Sequence, residues 1–111
     1  MRERLHLGSF ELMVLLAVIR LSDEAYGVPI SREIRERGGR TVTFGSLYAT
    51  LERLEQKGLI SSELGEPTPE RGGRAKKYFR VTAKGLREVR VAQRALQNLW
   101  EDLPQLEARR T

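Results

Sequence analysis

Hydrophobic residues in this chain keep a helical period as far as Leu54 and abandon it after Gly58. Upstream, "FELMVLLAVIRL" is an almost unbroken apolar run, Ile30 and Ile34 stand four apart, and Leu47, Leu51 and Leu54 repeat at helical spacing. Downstream, "LISSEL" and "AKKYFRV" are short and strand-like, separated by a loop rich in Gly, Pro and Glu, which is the pattern of a β-hairpin with an extended tip. The helical period then returns from Leu86 to Leu103. The double switch of period limits the chain to three helices, a hairpin and one long helix, an α+β class that is mostly α.

Local signals place the boundaries. Ser9 is available as an N-cap for the first helix, whose continuous apolarity predicts burial on most sides. Pro29 is tolerable in the first turn of a second helix, and the Gly38-Gly39 pair supplies its stop. Thr43 caps a third helix that Gly58 ends, with Ser46, Ala49, Thr50 and Arg53 expected on the face away from its leucines. In the second strand Phe79 and Val81 share one side, leaving Lys76, Tyr78 and Arg80 on the other. Thr82 caps the last helix, expected to run to Leu103, where Leu86, Val89, Gln93, Leu96, Trp100 and Leu103 alternate at spacings of three and four and Ala92 and Leu99 widen the stripe. This order of elements is that of a winged helix-turn-helix with an extra C-terminal helix.

The pentapeptide ERGGR occurs twice, at Glu36 to Arg40 and at Glu70 to Arg74. Its flanks differ: "VPISREIR" before the first copy is helical, whereas "LGEPTP" before the second carries two prolines and cannot be a helix interior. The string is therefore turn chemistry used for two jobs, a helix stop in the first copy and a wing tip in the second, and not a solenoid repeat.

With 111 residues, 40% of them hydrophobic, the chain is sized for one core. It holds no Cys and a single His, His6, near its start, so neither a disulfide framework nor a transition-metal cluster is expected. No nucleophile meets a base, and the carboxylates fall on helix faces read as solvated; neither an enzyme nor a cofactor is expected. The apolar run near the start is only about a dozen residues, against the ~20 that a membrane span needs. A cytoplasmic protein is the expectation. The formal charge of +5 is uneven: residues 1–70 hold 9 Lys+Arg against 11 Asp+Glu, and residues 71–111 hold 11 against 4, so the two parts carry −2 and +7. Within "RGGRAKKYFR", Arg71, Arg74, Lys76, Lys77 and Arg80 stand with no acidic residue among them, the kind of focused field that attracts polyanions.

From "LGSFELMVLLAV" through "AYGVPI", "GSLYATLERLEQKGLI" and "GRAKKYFRVTAKG" the chain resembles the PadR-like transcriptional regulators, over about residues 7–85. The family's usual wing has Pro after the Gly-Arg pair and Tyr as its second aromatic; here Ala75 and Phe79 stand there. The resemblance implies a dimeric winged helix that binds operator DNA, commonly a repressor whose affinity a small molecule alters. The residues lead to the same mechanism. Ser46, Ala49 and Thr50 are expected to read bases, beside Arg53, because small polar side chains let a helix enter the major groove. Thr43, Tyr48, Arg74, Lys76 and Lys77 suit phosphates or a narrow minor groove. A core role stays open for Tyr48, and Tyr26 reads as structural. Residues 1–82 would form the DNA-binding domain and residues 83–111 a dimerisation helix, joined through Leu86, Val89, Leu96, Leu99, Trp100 and Leu103. Trp100 also offers a platform for a flat aromatic effector. The rival is a winged helix that binds protein or RNA, whose third helix would be acidic or bulky outside.

Overall fold

The computed structural model describes residues 7–66 and 75–106. Four α-helices and one hairpin follow each other as α1 (Ser9–Leu21), α2 (Gly27–Gly38), α3 (Phe44–Gln56), β1 (Ile60–Leu64), β2 (Lys77–Val81) and α4 (Ala83–Trp100), with short 3₁₀ turns at Ser22–Glu24 and Pro104–Leu106. This is the expected mostly helical winged architecture. Val14, Leu15 and Val18 of α1 meet Ile30 and Ile34 of α2, Leu47, Leu51 and Leu54 of α3, and Leu59, Ile60 and Phe79 of the hairpin in one core. Each of these aliphatic side chains contributes about 1.5–3 kcal/mol on leaving water, so the leucine row of α3 fixes which way that helix faces.

The caps follow the sequence with two corrections. The N-cap of α1 is Gly8, not Ser9, because Glu11 in the first turn reaches back and its Oε1 accepts the Gly8 N–H at 3.1 Å. Thr43 does cap α3, its Oγ1 accepting the Ser46 N–H at 3.1 Å, and Thr82 caps α4, accepting the Gly85 N–H at 3.0 Å. Gly39, in the left-handed region at φ 70, stops α2 as the Gly-Gly pair predicts, and its N–H donates to the Arg35 carbonyl. The second correction concerns α4, which ends at Trp100 instead of Leu103. Pro104 disfavours helical backbone at the residue before it, and Asp102 turns away with φ 57. Leu103 therefore lies beyond the helix.

β1 and β2 pair antiparallel, with Ile60 opposite Val81 and Ser62 opposite Phe79. The Gly65 N–H extends the ladder to the Lys76 carbonyl at 2.8 Å. On its far side β2 is hooked to the helical body, since the Phe79 N–H donates to the Ala25 carbonyl at 2.8 Å. The second ERGGR copy lies outside the described residues.

At the junction of α3, β1 and α4 three ties converge. The Thr82 hydroxyl donates to the Gly58 carbonyl at 2.7 Å, the Thr82 N–H to the Leu59 carbonyl at 3.0 Å, and Lys84 Nζ to the Lys57 carbonyl at 3.1 Å. Gly85 is buried against the Leu59 carbonyl so closely that a Cβ would collide with it. The start of α4 is thus locked to the end of α3.

Candidate nucleic-acid interface

The exposed face of α3 begins at its cap. Thr43, Phe44, Gly45, Ser46, Tyr48, Ala49, Glu52, Arg53 and Gln56 are exposed, while Leu47, Thr50, Leu51 and Leu54 are buried. At about 100° per residue, Gly45, Ala49, Glu52 and Gln56 fall on the line opposite Leu47 and Leu54, with Ser46 and Arg53 on one flank and Tyr48 on the other. The small residues cluster in the first half, where a helix entering a groove must be slim.

Two expected readers are placed otherwise. Thr50 is 3% exposed and lies in the core row, so its side chain does not face a groove. Its hydroxyl accepts from the Arg53 guanidinium (Nη2) at 3.3 Å, which is how a polar side chain is accommodated there. Arg53 is exposed but engaged: its Nε donates to Glu11 Oε2 at 3.2 Å, and Lys57 Nζ donates to the same oxygen at 3.0 Å. The partner of Arg53 comes from α1. Glu11 is buried at 8%, and its carboxyl lies below the ordinary glutamate range. Burial pushes it up, but the Gly8 N–H and the hydrogen bonds from Lys57 and Arg53 outweigh that. Sequence reasoning missed Glu11, because an acid inside an apolar run gives no sign of which distant cations will meet it. Glu11 is thus the shared partner of Arg53 and Lys57.

Tyr48 is 42% exposed, its ring tilted against Phe44 at 6.3 Å between centroids. Its hydroxyl lies against Gly27 where a Cβ would clash, so it props the start of α2 while keeping one face in solvent. On the wing, Lys76 Nζ sits 4.4 Å above the Tyr26 ring, and Tyr26 meets Tyr78 edge-on at 5.4 Å. Tyr26 is structural, as read from the sequence: it steadies the base of the wing and the lysine on it. Lys77 is exposed beside Phe79, and Arg74 lies outside the described residues.

The first half of α4 packs inward and the second does not. Val89 is 9% exposed within the core, which corrects its placement on a subunit contact. Leu86 is 38% exposed, Leu96 47%, Leu99 74% and Trp100 63%. Leu12 and Leu16 of α1 join Val89, Leu96 and Trp100 in lining an apolar groove of about 360 Å³. Its floor is the part of the stripe that packs on its own α1, and its rim is the part that does not.

Three packed helices, a capped and slim third helix, and a basic hairpin hooked beside it define a winged helix-turn-helix protein. Residues 15–91 match the transcriptional regulator PadR-like family, and the chain belongs to that family. It is a DNA-binding transcriptional regulator and not an enzyme. The chain is 36% identical over 77 residues to the transcriptional regulator Rv3488 of Mycobacterium tuberculosis, covering 69% of this chain and 67% of that protein. Among solved structures, a PadR family transcriptional regulator from Eggerthella lenta superposes with a TM-score of 0.68 at 27% identity, covering 90% of this chain and 85% of that one. A PadR-like transcription factor from Bacteroides fragilis gives 0.69 at 26%, covering 87% and 88%. No helix among the described residues is long and apolar enough to cross a membrane.

Proposed function

We propose that the chain is a cytoplasmic homodimeric repressor that presents α3 to the major groove of a two-fold operator and lays its wing on the flanking backbone. The observation that carries this reading is the pairing of a slim, capped helix face with a lysine-bearing hairpin anchored beside it. In this reading Ser46 and Ala49 face base edges, Thr43 and Tyr48 contact phosphates, and Lys76, Lys77 and Arg74 neutralise phosphates. Arg53 contributes through whatever donors Glu11 leaves open to solvent. Residues 1–82 supply the DNA-binding unit, and within 83–111 the exposed Leu86, Leu96, Leu99 and Trp100, with the half-buried Leu103 beyond the helix, supply the subunit contact. Exposed leucines at such density on one helix are what a helix-to-helix interface buries. Trp100, on the rim of the groove above α1, would stack a flat aromatic effector there.

The test is a gel-shift competition with labelled duplex DNA carrying the promoter of the adjacent transcription unit. Competition by the same duplex, but not by unrelated duplex or by RNA, is expected. Equal competition by RNA, or no shift at all, would replace operator binding with the rival reading of an RNA- or protein-interaction module.

A further inference from the structure

The ion cluster around the buried Glu11 changes what α3 can offer to DNA. Arg53 of α3 and Lys57, the residue that caps its end, share one oxygen of Glu11, at 3.2 and 3.0 Å. A third polar group, Glu55, accepts from the Ser62 hydroxyl at 2.8 Å and so ties α3 to β1. Glu52 differs from all of these. It is exposed, it lies on the line opposite the core leucines, and it has no hydrogen-bond or ion-pair partner among the described residues. One turn before it on the same line stands Ala49, whose single methyl group leaves the carboxylate free to extend outward.

A carboxylate in the middle of a face that approaches a polyanion is repelled by every phosphate and gains nothing from non-specific DNA. It is tolerated only where a donor meets it. In the major groove the donors are the exocyclic amino groups, and cytosine N4 is the one a carboxylate accepts from, since adenine sets an N7 acceptor next to its amino group. We propose that Glu52 is the specificity-determining residue with which α3 reads a cytosine, accepting a hydrogen bond from its N4 amino group. The inference rests on the DNA-binding reading above and deepens it. Glu52 acts twice, rewarding cytosine at one position of each half-site and penalising all other DNA. Glu11 assists by holding Arg53 and Lys57 away from indiscriminate attraction to phosphates.

The experiment selects binding sites from a randomised duplex library with the full-length wild type, Glu52→Ala and Glu52→Gln, then titrates each protein against duplexes carrying the four bases at the affected position. The wild type should prefer cytosine there by about tenfold, the discrimination of one good base contact. Glu52→Ala should lose that preference and bind unrelated duplex more tightly. Glu52→Gln should move the preference toward adenine, because an amide can pair with both N6 and N7. Unchanged preferences in both variants would overturn the assignment and leave DNA binding standing. A wild type that binds no duplex would overturn both readings together. Neither variant removes a contact of the fold, and matching circular dichroism melts confirm that each outcome reports on recognition.

Discussion

Glu11 receives three donors on two oxygens: the Gly8 N–H on Oε1, and Arg53 and Lys57 on Oε2. Replacing it with Ala should destabilise the protein by about 1–3 kcal/mol, because the half-exposed cations can turn to water but the start of α1 and the flank of α3 lose their common anchor. Glu11→Gln keeps the shape and should lose less; a loss equal to that of Ala in urea melts would assign the effect to charge alone. Because the carboxyl is held below the ordinary range in the fold, its contribution is present above the unfolded-state value and is lost as pH falls through the lowered folded value. The wild type should therefore lose stability on acidification over that window, and Glu11→Gln should lose less of it. Thr50 shows the limit of reading such residues from sequence. Its period places it at the border between Ser46 and the row of Leu47 and Leu54, and the packing of that row against α1 and α2 decides that it is buried.

At the scale of elements, two capping threonines and one lysine separate stability from binding. Thr43→Ala should cost about 1 kcal/mol of stability through the lost cap, and Thr82→Ala more than that, since the Thr82 hydroxyl also donates to the Gly58 carbonyl. Thermal melts with both variants would decide the order. Lys76→Ala should instead lower the slope of log K against log salt by about 0.9, one phosphate neutralisation, with little change in base preference. An unchanged slope would leave Lys76 as a prop on the Tyr26 ring alone. The order of elements, both threonine caps, the glycine stops and the strand faces were legible because each is written within a few residues, as period, cap or turn chemistry. What was not legible required distance: Glu11 meets cations 42 and 46 residues away, and Val89 belongs to the core because Gly85 lets α4 approach Leu59. The end of α4 was missed for a nearer reason. The apolar stripe continues to Leu103, but Pro104 forbids the helix from following it.

For the whole molecule, the division of α4 into a packed half and an exposed half determines how a dimer and a response could be built. Removing residues 86–111 would strip Val89 from the core, so the clean test of the subunit contact is Leu96→Asp with Leu99→Asp, both outside that core. This pair should give a folded monomer by ultracentrifugation with much weaker operator binding, while a folded dimer would move the contact elsewhere. In a dimer built this way, the angle between the two copies of α4 sets the distance between the two copies of α3. The link is short, because Thr82, Lys84 and Gly85 tie the first turn of α4 to the last residues of α3 and the start of β1. A flat aromatic ligand in the groove beside Trp100 could therefore alter operator affinity, but only to the extent that it prefers one of the two angles; equally tight binding to both would change nothing. Trp100 is the chain's single tryptophan, which gives that ligand its own probe. Planar aromatic compounds should quench its fluorescence saturably, and a quenching compound should shift operator affinity with the same midpoint. Trp100→Ala, exposed at 63% and outside the core, should weaken the response more than it weakens the dimer, for which Leu96 and Leu99 remain. Dissociation of the dimer by Trp100→Ala would leave the side chain to the subunit contact alone, and saturable quenching that leaves operator affinity unmoved would show that the groove binds ligands without setting the distance between the recognition helices.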